Sequence, residues 1–257
     1  MRWERLKIKV SELFDRFVFV GKCPACREML PYKLRDEAFC EGCRPEWDKA
    51  KISECSTCGR AVCECVCMTP MLKKSGALCH HKAVKYSSES PIVHNTLMFL
   101  KRNKNMRVAG FLASQLVSVM SADEELPALT AENTLVTFVP RGRKAVLTHG
   151  FDQAELISKA FSEKTGFEMR RVIRRSRGGV EQKKLNATDR KKNVKRLFES
   201  DTENISAVKD KYVILIDDIV TTGASMAECV SLLIRARAMA VICLSVAYTE
   251  KTGKRNK

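Results

Sequence analysis

The chain has 257 residues, of which 45% are hydrophobic and 30% are charged, as is ordinary for a folded soluble protein. Its 46 Lys and Arg residues outnumber its 30 Asp and Glu residues, so the net charge of +16 favours anionic partners such as phosphorylated small molecules, nucleic acid or acidic lipid. The sequence shows neither a secretory signal nor an apolar run long enough to span a bilayer, which argues against a membrane-spanning fold and predicts a cytoplasmic protein.

Residues 1–22 mix charged and apolar side chains and predict a short amphipathic helix. The next segment is rich in cysteine, because ten of the 12 cysteines precede residue 80. In a reducing cytoplasm such clusters indicate metal binding rather than disulfides. We therefore expect a cysteine-rich zinc-binding module over residues 23–79, followed by the main domain over residues 80–257.

Two cysteine pairs with the spacing Cys-x2-Cys open the cysteine-rich segment. Each pair can bind one metal ion from a tight turn, and four thiolates complete a tetrahedral zinc site. An all-cysteine site leaves no position for water, so the predicted role is structural. The predicted ligands are Cys23, Cys26, Cys40 and Cys43.

A second zinc site is predicted around Cys55 and Cys58. Its other two ligands must come from three nearby candidates, Cys63, Cys65 and Cys67. We favour Cys65 and Cys67, because the longer intervening loop relieves crowding at the metal.

The run Cys79-His80-His81 can also reach a metal ion. The alternating residues 82–86 that follow predict a strand, and we therefore favour a role without metal for this run. Helices are predicted over residues 91–100 and 108–119, and a buried strand over residues 132–140. Asp152 can cap a further helix that ends at Gly166.

Residues 170–198 are polar and basic, and they predict a flexible loop that becomes ordered around an anion. Thirteen Lys and Arg residues and three Asp and Glu residues lie between residues 164 and 197. Beyond the loop, a strand (213–216), a helix (224–237) and a strand (240–247) predict a right-handed crossover in a parallel sheet. The expected fold class is α/β, a parallel sheet flanked by helices with a small N-terminal cysteine-rich module.

The segment 213–225, VILIDDIVTTGAS, joins an aliphatic strand to two carboxylates and then to small and hydroxyl residues that lead into a helix. Such a strand is buried on both faces, and ligands of parallel sheets bind at the carboxyl ends of strands. Small residues let backbone N–H groups approach an anion at a helix N-terminus. The Walker spacing Gly-x4-Gly-Lys is absent, so a different phosphate site is predicted, in which Asp217 and Asp218 suit sugar hydroxyls.

The same segment resembles the phosphoribosyl pyrophosphate signature of type I phosphoribosyltransferases. The resemblance implies the fold of that superfamily, with Asp217 and Asp218 as catalytic residues that hold the ribose hydroxyls. It also implies that the following loop binds the 5′-phosphate of phosphoribosyl pyrophosphate through Thr221, Thr222, Gly223, Ala224 and Ser225.

Two further segments, 139–161 with the motif HGFDQA and 177–198, resemble the ComF family. An N-terminal zinc module is also typical of that family, so the resemblance extends over about residues 23–250. His149 stands where the family usually has arginine, and its role stays open. Arg141, Arg143 and Lys144 replace the usual Pro-Leu run, which makes Arg141 and Lys144 candidate contacts for the pyrophosphate of the ligand.

Two classes of function follow from the resemblance. The first is Mg²⁺-dependent transfer of a phosphoribosyl group to an unassigned acceptor, with the basic loop closing over the site and offering Arg174, Arg175, Lys183 or Arg190 to pyrophosphate. The second is a non-catalytic part of the competence machinery for DNA uptake, which would bind single-stranded DNA or a protein, or sense the ligand. Aromatic residues make up only 7% of the chain, which argues against base stacking.

Overall fold

The computed structural model describes residues 19–87, 91–176 and 197–249. Most of the N-terminal helix expected over residues 1–22 lies outside these ranges. Its last four positions form strand β1 (Phe19–Lys22), so a helix over the whole of residues 1–22 is wrong. β1 pairs antiparallel with β2 (Met29–Pro31), and the turn between them carries the first cysteine pair.

A five-stranded parallel sheet lies at the centre of the fold. Its strands are β3 (Cys79–Lys85), β4 (Thr134–Phe138), β5 (Glu168–Met169), β8 (Tyr212–Val220) and β9 (Ala240–Tyr248). The strand order is β3-β9-β8-β4-β5, and every neighbouring pair is parallel. The predicted α/β fold class is confirmed.

Helices cover both faces of this sheet. In chain order the described helices are α1 (Arg44–Lys51), α2 (Pro70–Ser75), α3 (Pro91–Arg102), α4 (Met106–Ser121), α5 (Arg143–His149), α6 (Gln153–Thr165) and α7 (Ala224–Arg235). Ile214 and Ile216 of β8 share a core with α3, α4 and α6, whereas Val213 and Leu215 share one with α2 and α7. Burial on both faces explains why this strand has no polar alternation.

The four long helices begin and end close to the residues that the sequence predicts. The side chain of Asn105 accepts a hydrogen bond from Val108 N at 3.0 Å at the start of α4. Asp152 does the same for Ala154 N at 3.0 Å at the start of α6, and Gly166, with φ of 74°, ends that helix. Within the described ranges, no helix combines the length and apolar character that crossing a bilayer requires.

The cysteine-rich segment packs against the helical layer of the main sheet. Phe39 and Trp47 from this segment meet Phe111 of α4, with ring centroids 5.2 Å and 5.4 Å away from the Phe111 ring. Trp47 is fully buried, and it belongs to the same core as Leu112 and Ile214. Residues on both sides of the predicted 79/80 boundary therefore share one hydrophobic core.

The two ends of the predicted basic loop are ordered rather than irregular. β6 (Ile173–Arg175) pairs antiparallel with β7 (Phe198–Ser200), and Phe198 N donates a hydrogen bond to Glu228 of α7 at 3.1 Å. The prediction of a loop over all of residues 170–198 is therefore wrong at both ends, where the chain forms two short paired strands. Residues 177–196, including Lys183 and Arg190, lie outside the described residues.

Candidate functional site

The paired carboxylates lie within a strand rather than after it. The sequence predicts that the strand stops at residue 216, but β8 continues to Val220 and pairs with β9 up to Tyr248. Successive side chains of a strand point to opposite faces, so the two carboxylates meet different neighbours. Asp217 lines the same cavity as the loop that follows, and Asp218 pairs with Arg141.

Asp217 and residues 219–226, which include the small-residue loop, line one cavity of about 70 Å³. Gly223 has a φ of 78° at the start of α7, and it offers no side-chain cap to that helix. Within the described chain, the backbone amides of Thr221, Thr222 and Gly223 meet no protein acceptor. Free amides beside a helix N-terminus form a concave site that suits an anion such as phosphate.

The environment of Asp217 disfavours its charged form. Burial raises the pKa of this carboxyl well above its ordinary value, and the neighbouring carboxylate of Asp218 raises it further. Asp217 Oδ1 accepts one hydrogen bond, from Asp218 N at 2.9 Å. A ligand that brings hydroxyl donors or a cation to this carboxylate would relieve that cost.

Arg141 lies at the centre of a polar cluster next to β8. Its Nη2 atom lies 3.2 Å from Asp218 Oδ2, and its Nη1 atom is buried without a hydrogen-bond partner among the described residues. Its backbone N–H donates to Asp152 Oδ2 at 2.7 Å. The arginine is thus held by its backbone while its guanidinium keeps unused donors, as an anion-binding residue requires.

Asp152 is a third carboxylate of the site that the sequence reveals only as a helix cap. It is almost fully buried, and burial raises its pKa above the ordinary value. Its two oxygens serve the start of α6 and the Arg141 amide, so it fixes the loop that follows β4. The sequence signal for this role is its place in the Gly-Phe-Asp-Gln-Ala run after that strand.

Of the other predicted basic contacts, Arg175 approaches the site and Arg174 does not. The Arg175 guanidinium packs against Gly142, where an added Cβ would lie 3.7 Å from its Nε. Arg174 instead forms an ion pair with Glu199 at 3.0 Å on the surface. Lys144 lies in α5, but its side chain lies outside what the structure describes; His149 is the last residue of α5.

The structure brings together two groups of four cysteines whose sulfur atoms lie within 4.8 Å of one another. Sulfurs from different parts of each group approach closely, Cys26 to Cys40 at 3.6 Å and Cys58 to Cys65 at 3.5 Å. Tetrahedral zinc–thiolate geometry separates two sulfurs by about 3.8 Å, so both groups fit structural zinc. The groups are Cys23, Cys26, Cys40 and Cys43, and Cys55, Cys58, Cys65 and Cys67.

A buried lysine supports a thiolate state for the second group. Lys82 of β3 is 1% exposed, and its Nζ donates to Cys67 O at 2.6 Å. A buried ammonium group is costly unless negative charge lies nearby. Four zinc-bound thiolates carry a net charge of about −2, which would offset the lysine charge. Cys63 lies outside this group, in agreement with the choice of ligands made from spacing.

Much of the chain is similar to known proteins. A family model described as "Phosphoribosyl transferase domain" matches residues 145–257. The chain is 27% identical to the DNA utilization protein YhgH of Salmonella typhimurium over 87% of this chain and 96% of that protein. It is 28% identical to YhgH of Escherichia coli over 60% of this chain and 66% of that protein, just under two thirds of its length.

Among solved structures, one titled as the allosteric regulatory enzyme of purine biosynthesis matches with a TM-score of 0.38 and 19% identity. The match covers 53% of this chain and 25% of the other. The domain match, the YhgH relatives and the ordered motifs along the chain agree with one another. Residues 145–257 therefore match a phosphoribosyl transferase domain, and the chain is similar to the YhgH proteins over most of its length.

Proposed function

We propose that the protein binds phosphoribosyl pyrophosphate at the end of β8 and transfers its phosphoribosyl group to an acceptor nucleophile. The observation that supports this most directly is the shared cavity of Asp217 and the loop with free amides. The loop amides that can bind an anion thus lie a few residues from Asp217, whose carboxylate can accept hydrogen bonds from hydroxyl groups. That spacing suits the 5′-phosphate and ribose of a single ligand.

Each part of the site has a proposed task. The amides and hydroxyls of residues 221–225 bind the 5′-phosphate, and Asp217 and Asp218 accept hydrogen bonds from the ribose hydroxyls. When the ligand binds, the Arg141 guanidinium leaves Asp218 and pairs with the pyrophosphate. Arg175, which lies against Gly142, binds the pyrophosphate from the hairpin of β6 and β7. Mg²⁺ bound to the pyrophosphate would supply further charge neutralisation.

The reaction proposed is a substitution at carbon 1 of the ribose. The bond from carbon 1 to the pyrophosphate oxygen breaks, and its electron pair leaves with the pyrophosphate. A lone pair of the acceptor forms the new bond to carbon 1, and the acceptor loses a proton to solvent. The protein contributes by positioning the ligand and by neutralising charge on the leaving group.

A second candidate function is supported by the names of the relatives and by charge. Proteins named for DNA utilization match up to 87% of the chain, and a strongly basic segment lies between residues 164 and 197. In this alternative the basic segment binds the backbone of single-stranded DNA, or a protein of the competence machinery, and the pocket only senses its ligand. Binding to DNA would then weaken steeply with salt, because counterions are released.

The ligand site is tested by calorimetry with phosphoribosyl pyrophosphate and Mg²⁺. The Asp217→Asn/Asp218→Asn variant should bind roughly 10²-fold to 10⁴-fold more weakly than the wild type, since hydrogen bonds to charged groups contribute about 1.5–3 kcal/mol each and the double variant weakens two. Asp48→Asn is the control, because Asp48 lies in α1 and pairs on the surface with Arg44. Equal affinity of the double variant and the wild type would contradict the proposal.

A second assay separates transfer from sensing. Pyrophosphate release is measured with the wild type while nucleobases and amines are supplied in turn as acceptors. Release that depends on one acceptor supports the transferase, whereas tight binding without release supports the sensor. DNA binding that weakens with salt and is lost on charge reversal across residues 183–196 would favour the DNA-binding alternative.

A further inference from the structure

A third group of metal-binding side chains lies apart from both cysteine sites and from the phosphate loop. Cys79 and His81 alternate on the edge strand β3, and Asp123 follows the end of α4. Their donor atoms lie within 4.8 Å of one another. The sequence favours a role without metal for the Cys79-His80-His81 run, since only the fold brings in a carboxylate from beyond α3 and α4.

The contacts within this group converge on one nitrogen atom. His81 Nε2 lies 3.4 Å from Cys79 Sγ and 3.2 Å from Asp123 Oδ2. The other oxygen of Asp123 accepts a hydrogen bond from Glu125 N at 3.0 Å, which fixes the carboxylate in this orientation. Cys79 and His81 are 8% and 3% exposed, so the three donors meet in a nearly dry environment.

A single hydrogen on His81 Nε2 cannot make a linear hydrogen bond to both of its neighbours. If Nε2 carries a hydrogen that points at Asp123, the Cys79 sulfur, a weak acceptor, receives at most a bent share of it. If Nε2 carries a lone pair, it accepts from the thiol, but it then faces the lone pairs of the carboxylate. A cation bound by all three atoms removes this conflict.

The spacing matches a zinc ion. Zinc binds sulfur at about 2.3 Å and histidine nitrogen at about 2.0–2.1 Å, which places two such ligands roughly 3.5 Å apart in a tetrahedral site. The observed separations of 3.4 Å and 3.2 Å are close to that value. Thiolate, imidazole and carboxylate are all ordinary zinc ligands, whereas calcium and magnesium prefer oxygen alone.

The middle residue of the run does not belong to the group. His80 points to the other face of β3, where its Nε2 lies 2.9 Å from Ser245 Oγ of β9. This alternation leaves two side chains of the run on one face, which is how a strand presents ligands at positions i and i+2. His80 therefore serves as an internal control for any experiment on the run.

We propose that Cys79, His81 and Asp123 bind a third zinc ion, with water in the fourth position. The metal ties the connection after α4 to the edge strand, which is separated from β8 by β9. The site is independent of the proposed transferase function, because none of its residues lines the cavity of the phosphate loop.

Zinc content of the full chain, measured by elemental analysis after removal of loosely bound metal, tests the proposal. The Cys79→Ser/His81→Gln variant should contain one zinc atom per chain less than the wild type. Cys63→Ser is the matched control, because it removes a thiol that belongs to none of the three groups. This control should retain the wild-type zinc content.

A second variant answers the question if the double variant does not fold. Asp123→Asn keeps the size of the half-buried side chain and removes only its charge, and it too should contain one zinc atom less. The proposal is overturned if the folded variants retain the wild-type zinc content, or if Cys63→Ser loses the same amount. Cobalt substitution adds a spectroscopic readout, since the thiolate absorption of the third site should disappear in the same variants.

Discussion

Gly223 of the phosphate loop lies very close to Thr69 of the cysteine-rich segment. Its φ of 78° lies in the left-handed region, and a Cβ at this position would collide with Thr69 Oγ1 at the start of α2. Thr69 itself caps α2 by accepting a hydrogen bond from Leu72 N at 3.3 Å. With α2 in place, the loop can therefore take this shape only if residue 223 is glycine.

The substitution Gly223→Ala should destabilise the protein in two ways. The left-handed backbone costs a residue with a Cβ about 1–2 kcal/mol, and overpacking against Thr69 adds about 1–3 kcal/mol. Gly150→Ala is the matched control, because Gly150 has nearly the same φ of 77° and an added Cβ there meets nothing within 4 Å. Urea unfolding should show the larger loss for Gly223→Ala; equal losses would mean that the contact with Thr69 is unimportant.

Asp217 imposes a cost on the fold that depends on pH. The pKa of Asp217 is raised in the folded state, so the folded protein is not penalised by this carboxyl at pH values below the ordinary carboxyl pKa. As the pH rises through the raised pKa, the buried carboxyl must lose its proton and the free energy of unfolding decreases. Without ligand, Asp217→Asn should therefore melt at a higher temperature than the wild type at neutral pH. The difference should shrink as pH falls toward the ordinary carboxyl pKa.

Thermal melts of the two proteins across that pH range test this prediction, with Asp48→Asn as a control on the surface. An exposed ion pair such as Asp48 with Arg44 contributes little, so the control should melt near the wild type. A lower melting temperature for Asp217→Asn at neutral pH would show that the carboxylate stabilises the empty site.

Among single residues, loop length alone favours Cys65 and Cys67 over Cys63 as partners of Cys55 and Cys58. The structure brings the sulfur atoms of these four cysteines within 4.8 Å of one another. The links from Arg141 to Asp152 and Asp218 could not be predicted, since they join residues from three separate elements. Local patterns do not contain the register that brings such elements together.

Among the elements, the hairpin of β6 and β7 offers the sharpest test of the ligand site. Arg174 and Arg175 are neighbours on one strand, but only Arg175 approaches the Gly142 loop, while Arg174 pairs with Glu199. Arg175 also lies 5.4 Å from the centroid of the Phe198 ring, which holds it over the start of β7. The two arginines thus have the same charge and different surroundings.

Arg175→Ala should weaken binding of phosphoribosyl pyrophosphate about 10-fold, the usual effect of losing a charged hydrogen bond. Arg174→Ala should leave the affinity unchanged, because an exposed ion pair contributes little. Calorimetry with both variants checks this difference. Similar effects from the two substitutions would show that the hairpin acts only through its overall charge.

Long elements were predictable where short ones were not. The helices α3, α4, α6 and α7 carry helical periodicity and clear end signals, and they appear near the expected residues. β6 is a short strand with two arginines, and its pairing with β7 joins the two ends of the long basic segment. Strand pairing of this kind depends on tertiary contacts that a local sequence window lacks.

For the whole molecule, the shared core predicts that the metal sites support more than their own segment. The first cysteine group contributes Cys23 to the core that contains Trp47, Leu112 and Ile214. Loss of its metal should therefore lower the stability of the entire chain. A separate early transition is not expected.

Cys23→Ser/Cys26→Ser should lower the melting temperature of the single main transition, as measured by calorimetry. Binding of structural zinc contributes directly to folding free energy, and Cys23 lies in the core that the segment shares with the main sheet. Cys63→Ser should have little effect, because its thiol belongs to neither cysteine group. An unchanged main transition with a new early one would show that the two regions unfold independently.

Trp47 gives the protein a built-in optical probe. The chain has two tryptophans, and the other, Trp3, lies outside the described residues. In a Trp3→Phe background, emission would come from a single indole enclosed by Phe39 and Phe111. A shift of that emission to longer wavelength would then follow, in real time and without a label, the separation of the N-terminal region from the sheet.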